Sequence, residues 1–137
     1  MYNKILCVDD DPITLMLCKK VIEKSNFSNI IDSAHNGEDA LKYFDSLKND
    51  LKENENIILP QLMFLDLNMP IMGGWEFLDL FSDPKYQSFF SDLKVIVLSS
   101  TIDPKDIEKS KSYTMVVDFL SKPITKEMLN LLSDIHK

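Results

Sequence analysis

Three acidic side chains stand where apolar runs stop. Asp9 and Asp10 follow KILCV at 4–8, and Asp66 follows Met63, Phe64 and Leu65, where a fourth apolar residue would continue a buried strand. Ser99 ends KVIVL at 94–98, and Lys122 comes just after VVDFL at 116–120. Each has an ordinary explanation taken alone: a capped turn at Asp9 to Pro12, a strand-end hydroxyl, a Lys-Pro turn. Gathered at one place they make a reactive cleft. Two carboxylates about 4 Å apart repel by about 4 kcal/mol at an effective dielectric of about 20, so three together require a cation. Oxygen donors without His or Cys among them suit Mg²⁺ better than zinc. A carboxylate nucleophile, charge neutralisation, an ammonium for an incoming anion and a hydroxyl donor are what phosphoryl transfer to an aspartate needs. On this chemistry the strand ends on Asp66 because that carboxylate accepts a phosphoryl group.

Such a cleft needs elements that deliver all five residues to one edge, and the periodicity supplies them. KILCV reads as a strand, with Asp11-Pro12 as cap and first turn of the helix ITLMLCKKVIEKS. IIDSA at 30–34 is strand-like, and Asn36-Gly37 turns into EDALKYFDSL, where Ala40, Leu41, Phe44 and Leu47 fall at helical spacing. The polar stretch KNDLKENEN separates this helix from the run at 61–67. Gly73-Gly74 then opens WEFLDLF, which Asp83-Pro84 stops. KVIVL is the fourth strand, Asp103-Pro104 starts the polar helix KDIEKSKS with Ile107 its one clear apolar anchor, and VVDFL is the fifth strand. TKEMLNLLSDIHK closes the chain with Leu129, Leu132 and Ile135 on one face. Five strand–helix alternations with near-continuous apolar strands predict an α/β parallel sheet covered on both faces. Ligands of such sheets bind beyond the carboxyl ends of the strands, where strand order reverses. If the order is 2-1-3-4-5, strands one and three are neighbours and the three carboxylates converge.

Composition excludes other settings. The 137 residues, 45% of them hydrophobic, suit one domain over 1–137 with one core and leave no room for a second. A net charge of -7 opposes direct binding to nucleic acid. No stretch reaches the roughly 20 apolar residues of a membrane helix, and the first residues lack signal-peptide order, so a cytoplasmic protein is expected. Cys7 and Cys18, without CxxC spacing, read as small buried hydrophobes kept reduced.

The order V-D-D at 8–10, L-D-x-N-M-P at 65–70, V-L-S-S at 97–100 and L-S-K-P at 120–123 resembles the receiver domain of two-component response regulators, the CheY type. The resemblance covers essentially the whole chain and implies a stand-alone receiver with a flavodoxin-like, doubly wound (βα)5 fold. It implies that Asp66 is the phosphoacceptor, that Asp10 ligates Mg²⁺ directly with Asp9 helping, and that Asn68 lends its backbone carbonyl. Ser99 would be the switch hydroxyl, Phe119 the aromatic that follows it, and Lys122 the partner of the phosphoryl group, its bond to Pro123 being cis. Asn68 and Thr101 resemble the positions that tune hydrolysis. The phosphoryl donor would be a histidine kinase or a histidine phosphotransfer protein, and output would pass to a protein target through the fourth helix, fifth strand and fifth helix. Gly73 departs from the family's usual aspartate and removes a helix-capping carboxylate.

Two rival readings have their own residues. A degenerate receiver would bind a partner without phosphorylation. A haloacid-dehalogenase-type phosphatase would use Asp9-x-Asp11, Ser99 and Lys122, but it wants a further acidic pair where only Glu127 and Asp134 follow, and it leaves Asp66 without a role. His35 and His136 read as solvated, Trp75 as packing, and Tyr86, Phe89 and Phe90 as a satellite core beneath a long connection.

Overall fold

Along the central strands, neighbouring residues serve opposite cores. The computed structural model describes residues 2–135, and β1 (Tyr2–Val8), β2 (Ser28–Ala34), β3 (Leu62–Asp66), β4 (Lys94–Ser99) and β5 (Val116–Ser121) form one sheet within it. All pairings are parallel and the order is β2-β1-β3-β4-β5. Leu6, Val8, Met63, Leu65 and Val95 enter one core, whereas Ile5, Cys7, Leu62, Phe64, Ile96 and Leu98 enter the other. A strand's period of two divides each run this way, and a strand buried on both faces has no place for polar alternation. The expected doubly wound architecture is the one observed.

Six helices among the described residues cover the sheet. On the first face lie α2 (Gly37–Glu53), α3 (Gly74–Phe81) and α4 (Pro84–Phe90); on the second lie α1 (Pro12–Lys24) and α6 (Lys126–Ile135). The remaining helix, α5 (Pro104–Ser110), packs beside β5. Three of them start alike: Asp11, Asp83 and Asp103 each accept a hydrogen bond at 2.9 Å from the backbone N–H two residues on, with proline at the first helical position. Asn36 caps α2 by accepting from the Asp39 N–H at 2.8 Å.

Two connections differ from the sequence expectation. Asp83-Pro84, expected to stop a helix, also caps the next one, so the KYQSFF segment is α4 and not a long connection. Tyr86 and Phe90 consequently join the main core, with Phe90 4.9 Å and Phe81 4.6 Å from the Phe44 ring, while Phe89 stays 41% exposed. The other is KNDLKENEN, most of which continues α2 to Glu53: its polar residues give no periodic signal but are adequate helix formers. The extra helix makes the expected output face α5-β5-α6. Trp75 packs as expected, stacked 5.9 Å from Tyr113 with the Lys109 ammonium 4.7 Å from its ring, and His35 is exposed. His136 and the side chain of Ile135 lie outside the described residues.

Candidate functional site

The rows of the second face end on the carboxylates. Asp9 continues Ile5 and Cys7, Asp66 continues Leu62 and Phe64, and the pairing of Val8 with Leu65 sets the two aspartates side by side. Asp9, Asp10 and Asp66 each place a carboxylate oxygen within 4.8 Å of the others. Asp9 and Asp66 are buried, 5% and 6% exposed, and Asp10 faces solvent. From the end of β5, Lys122 reaches across: its ammonium donates to Asp9 Oδ2 at 2.6 Å and lies 3.2 Å from Asp66 Oδ1. The Lys122–Pro123 bond is cis, and the Lys122 N–H donates to the Ser99 carbonyl at 2.8 Å.

Burial pushes the Asp66 carboxyl above the usual range and the Asp9 charge pushes it further, with Lys122 opposing both. Burial by itself would lower Lys122, but the hydrogen bonds and charges of Asp9 and Asp66 outweigh it and hold the ammonium above its ordinary value. Three carboxylates against one ammonium leave two negative charges uncompensated. Hard oxygen donors with that charge fit a divalent cation of the magnesium type.

The remaining expected residues surround this cluster unevenly. Ser99 is 2% exposed, and its hydroxyl accepts from the Thr101 N–H at 3.3 Å. Asn68 and Thr101, two residues beyond Asp66 and Ser99, are exposed. Phe119 is half-buried and lines a separate pocket of about 190 Å³ with Ile107, Ser110, Lys111 and Asp118, with none of Asp9, Asp10 and Asp66 among its walls. The one buried side chain of α5 is Ser110, whose hydroxyl donates to the Ile107 carbonyl at 2.6 Å, so its apolar anchoring is thin.

Sequence reading missed two supporting positions. Gly74 is read there as helix-opening, but a Cβ on it would stand 2.6 Å from the Asp66 carbonyl oxygen and 3.0 Å from Leu67 Cα, so only glycine lets α3 start against the end of β3. Ile71 has φ 70° and is 76% exposed, a backbone region that β-branched residues rarely occupy. No local signal marks either one. Gly73 lacks a side-chain cap, as expected, and a Cβ there would meet the Leu67 carbonyl oxygen at 2.9 Å.

Comparison with known proteins decides the family. The model of the response regulator receiver domain matches residues 5–133. The chain belongs to the response regulator receiver family. A two-component response regulator of Cytophaga hutchinsonii superposes with TM-score 0.78 at 30% identity, covering 97% of this chain and 95% of that one. One from Legionella pneumophila gives TM-score 0.75 at 31% identity, covering 97% and 96%. A protein-glutamate methylesterase/protein-glutamine glutaminase of Geobacter sulfurreducens is 26% identical over 98% of this chain, which spans only 32% of that protein.

As a receiver, the chain has the phosphoryl-accepting signalling role of its family, and receivers bind Mg²⁺ at an acidic pocket of the kind found here. The phosphatase alternative is not favoured by the geometry. Its second aspartate, Asp11, is engaged as a helix cap, accepting from the Ile13 N–H at 2.9 Å and the Thr14 hydroxyl at 3.1 Å. No helix among the described residues is long and apolar enough to cross a membrane.

Proposed function

We propose that this receiver takes a phosphoryl group onto Asp66 from a phosphohistidine presented by a histidine kinase or histidine phosphotransfer protein, and that Asp9, Asp10, Asp66 and the backbone carbonyl of Asn68 hold Mg²⁺ for it. The observation that carries this reading is the buried Asp66 carboxylate within 4.8 Å of Asp9 and Asp10, with Lys122 bridging to it at 3.2 Å. Bound there, Mg²⁺ would neutralise the carboxylates and the charge on the transferring oxygens.

The chain's own groups do the rest. An Asp66 oxygen attacks phosphorus as the P–N bond to the donor imidazole breaks, and the imidazole leaves with the bonding electrons. Lys122 exchanges part of its hold on Asp66 for a phosphoryl oxygen. The new group adds roughly -1.5 to -2 charges, which draw the Ser99 hydroxyl inward from its hydrogen bond with Thr101. Phe119 then moves toward the space Ser99 leaves, and the thinly anchored α5 follows, so that α5, β5 and α6 present a changed face to a protein target. Residues 1–137 serve as one receiver domain in the cytoplasm. The exposed Asn68 and Thr101 tune hydrolysis, and a phosphoryl lifetime unaltered by exchanging either would remove that residue from the role.

Intact mass after incubation with acetyl phosphate tests the central claim. One phosphoryl adduct is expected with Mg²⁺, and none in EDTA or in Asp66→Asn. An adduct that survives loss of Asp66 would refute the assignment, and no adduct at all would favour a receiver that acts by binding alone.

A further inference from the structure

One pleat below the carboxylates, the two cysteines touch. Cys7 on β1 and Cys18 on α1 are both buried, and their sulfurs lie 3.5 Å apart. Their spacing of 11 residues hides this contact in the sequence, because it forms only when α1 folds back over its own strand. Both line the small void that Asp9 and Asp66 also line. We propose that Cys7 and Cys18 are a reversible dithiol–disulfide pair, an oxidative modification site that acts on the carboxylate loop above it.

Reach and geometry support this. Cys18, 5% exposed, also lines a pocket of about 250 Å³ open between α1 and the β5–α6 turn, walled by Thr14, Leu17, Lys122 and Ile124, which gives a small oxidant an approach to that side chain. Hydrogen peroxide is the co-reactant. The Cys18 thiol gives up its proton and attacks the peroxide oxygen, the O–O bond breaks, and a sulfenic acid and one water form. Cys7 sulfur then attacks Cys18 sulfur and displaces the hydroxyl, which leaves as a second water with the Cys7 proton. Two thiols are oxidised, one peroxide is reduced, and a dithiol reductant reverses the bond. The few disulfides of reducing compartments are commonly of this transient, sensing type.

The consequence follows from what the bond would enclose. A disulfide between residues 7 and 18 puts Asp9, Asp10 and Asp11 inside one covalent ring, and the Asp11 N–H already donates to Asp9 Oδ1 at 3.0 Å. Closing the sulfurs from 3.5 Å to the roughly 2.05 Å of a disulfide draws β1 and the first turns of α1 together beneath those carboxylates. The regulatory half rests on the phosphoryl-transfer reading; the disulfide itself does not.

The test oxidises the folded chain with hydrogen peroxide, then measures intact mass and the rate of phosphoryl uptake from acetyl phosphate with Mg²⁺. Expected are a loss of about 2 Da, its reversal by dithiothreitol, and its absence in Cys18→Ala and Cys7→Ala, the second variant guarding against misfolding of the first. Uptake should slow by roughly tenfold in the oxidised chain, within the hundredfold that a shift of about 1 Å at a reacting group can cost, while peroxide-treated Cys18→Ala keeps its untreated rate. A chain that stays folded and reduced, or pairs only between molecules, overturns the modification site. An oxidised chain that reacts at the reduced rate overturns the regulation. If even the reduced chain takes up nothing, the phosphoryl-transfer reading and the regulation fall together, and the mass loss still decides the thiol pair.

Discussion

The aromatic cluster carried by α2, α3 and α4 and the carboxylate cluster at the strand ends lie against one sheet, yet they are opposites. The first packs Phe44, Phe77, Phe81, Tyr86 and Phe90 ring against ring with every one nearly or fully buried. The second buries carboxylates that one lysine cannot balance, and beside it Ile71 holds a left-handed backbone in solvent. Stability is concentrated in the first region, and the second keeps uncompensated charge and a strained backbone position. Changes in the aromatic cluster should therefore cost stability and leave the chemistry of the folded chain alone; changes in the carboxylate cluster should do the reverse. A residue that crosses this division would break it.

Phe44→Ala should show the largest effect. The ring is fully buried against Phe77, Phe81 and Phe90, so truncation should cost about 3–5 kcal/mol, read as a lower urea midpoint at unchanged slope. The folded fraction should still take one phosphoryl group on Asp66. A loss of uptake beyond the loss of folded chain would show that the two regions are not separable.

How much of each region is legible in the sequence differs for the same reason. Asp9, Asp66, Ser99 and Lys122 interrupt apolar runs, so their type and position mark them, and strand order then brings Asp9, Asp66 and Lys122 together. Strand period and the caps at Asp11-Pro12 and Asp103-Pro104 likewise fix most elements. The far end of α2 is obscure because Leu51 is the single apolar residue of KNDLKENEN. The short α4 is obscure because Asp83-Pro84 serves at once as the stop of one helix and the cap of the next. Gly74 against the Asp66 carbonyl, the Cys7–Cys18 contact and the φ of Ile71 arise only when separate segments meet, and no local pattern encodes them.

Lys122 is where the division comes under most strain, because it belongs to the chemistry and also compensates buried charge. Lys122→Ala should destabilise the metal-free chain by about 2 kcal/mol, less than a fully buried pair because the ammonium is partly solvated. Its folded value lies above 10.5, so this contribution is fully present at neutral pH and disappears only as pH rises through that higher value. Added Mg²⁺ should restore part of the lost stability by compensating the same carboxylates. If it restores none, the cluster does not hold the ion.

Asp66→Asn should move in the opposite direction. A carboxyl raised by burial and by Asp9 favours the folded state when protonated, and this benefit fades as pH climbs from 3.8 through the higher folded value. The metal-free Asn variant lacks that decline. It should be the more stable of the two at neutral pH and lose its advantage in acid, while taking up no phosphoryl group. Equal urea midpoints across that pH range would mean that Lys122 already cancels the penalty.

Ile71→Gly should give the smallest effect and the cleanest reading of strain. At φ 70°, with the Met72 N–H closing on the Pro70 carbonyl in a three-residue turn, a β-branched side chain pays roughly 1–3 kcal/mol that glycine avoids, and with 76% of Ile71 exposed there is little burial to lose. The loop's shape does not depend on the side chain: the Met72 N–H donates to the Pro70 carbonyl at 2.7 Å, and the Gly37 N–H to the Met72 carbonyl at 2.8 Å. The exchange should therefore raise the urea midpoint by about 1 kcal/mol in free energy and leave the phosphoryl adduct unchanged. A lower midpoint would mean that Ile71 contributes packing to this loop, and the line between a packed face and a strained rim would have to be redrawn through it.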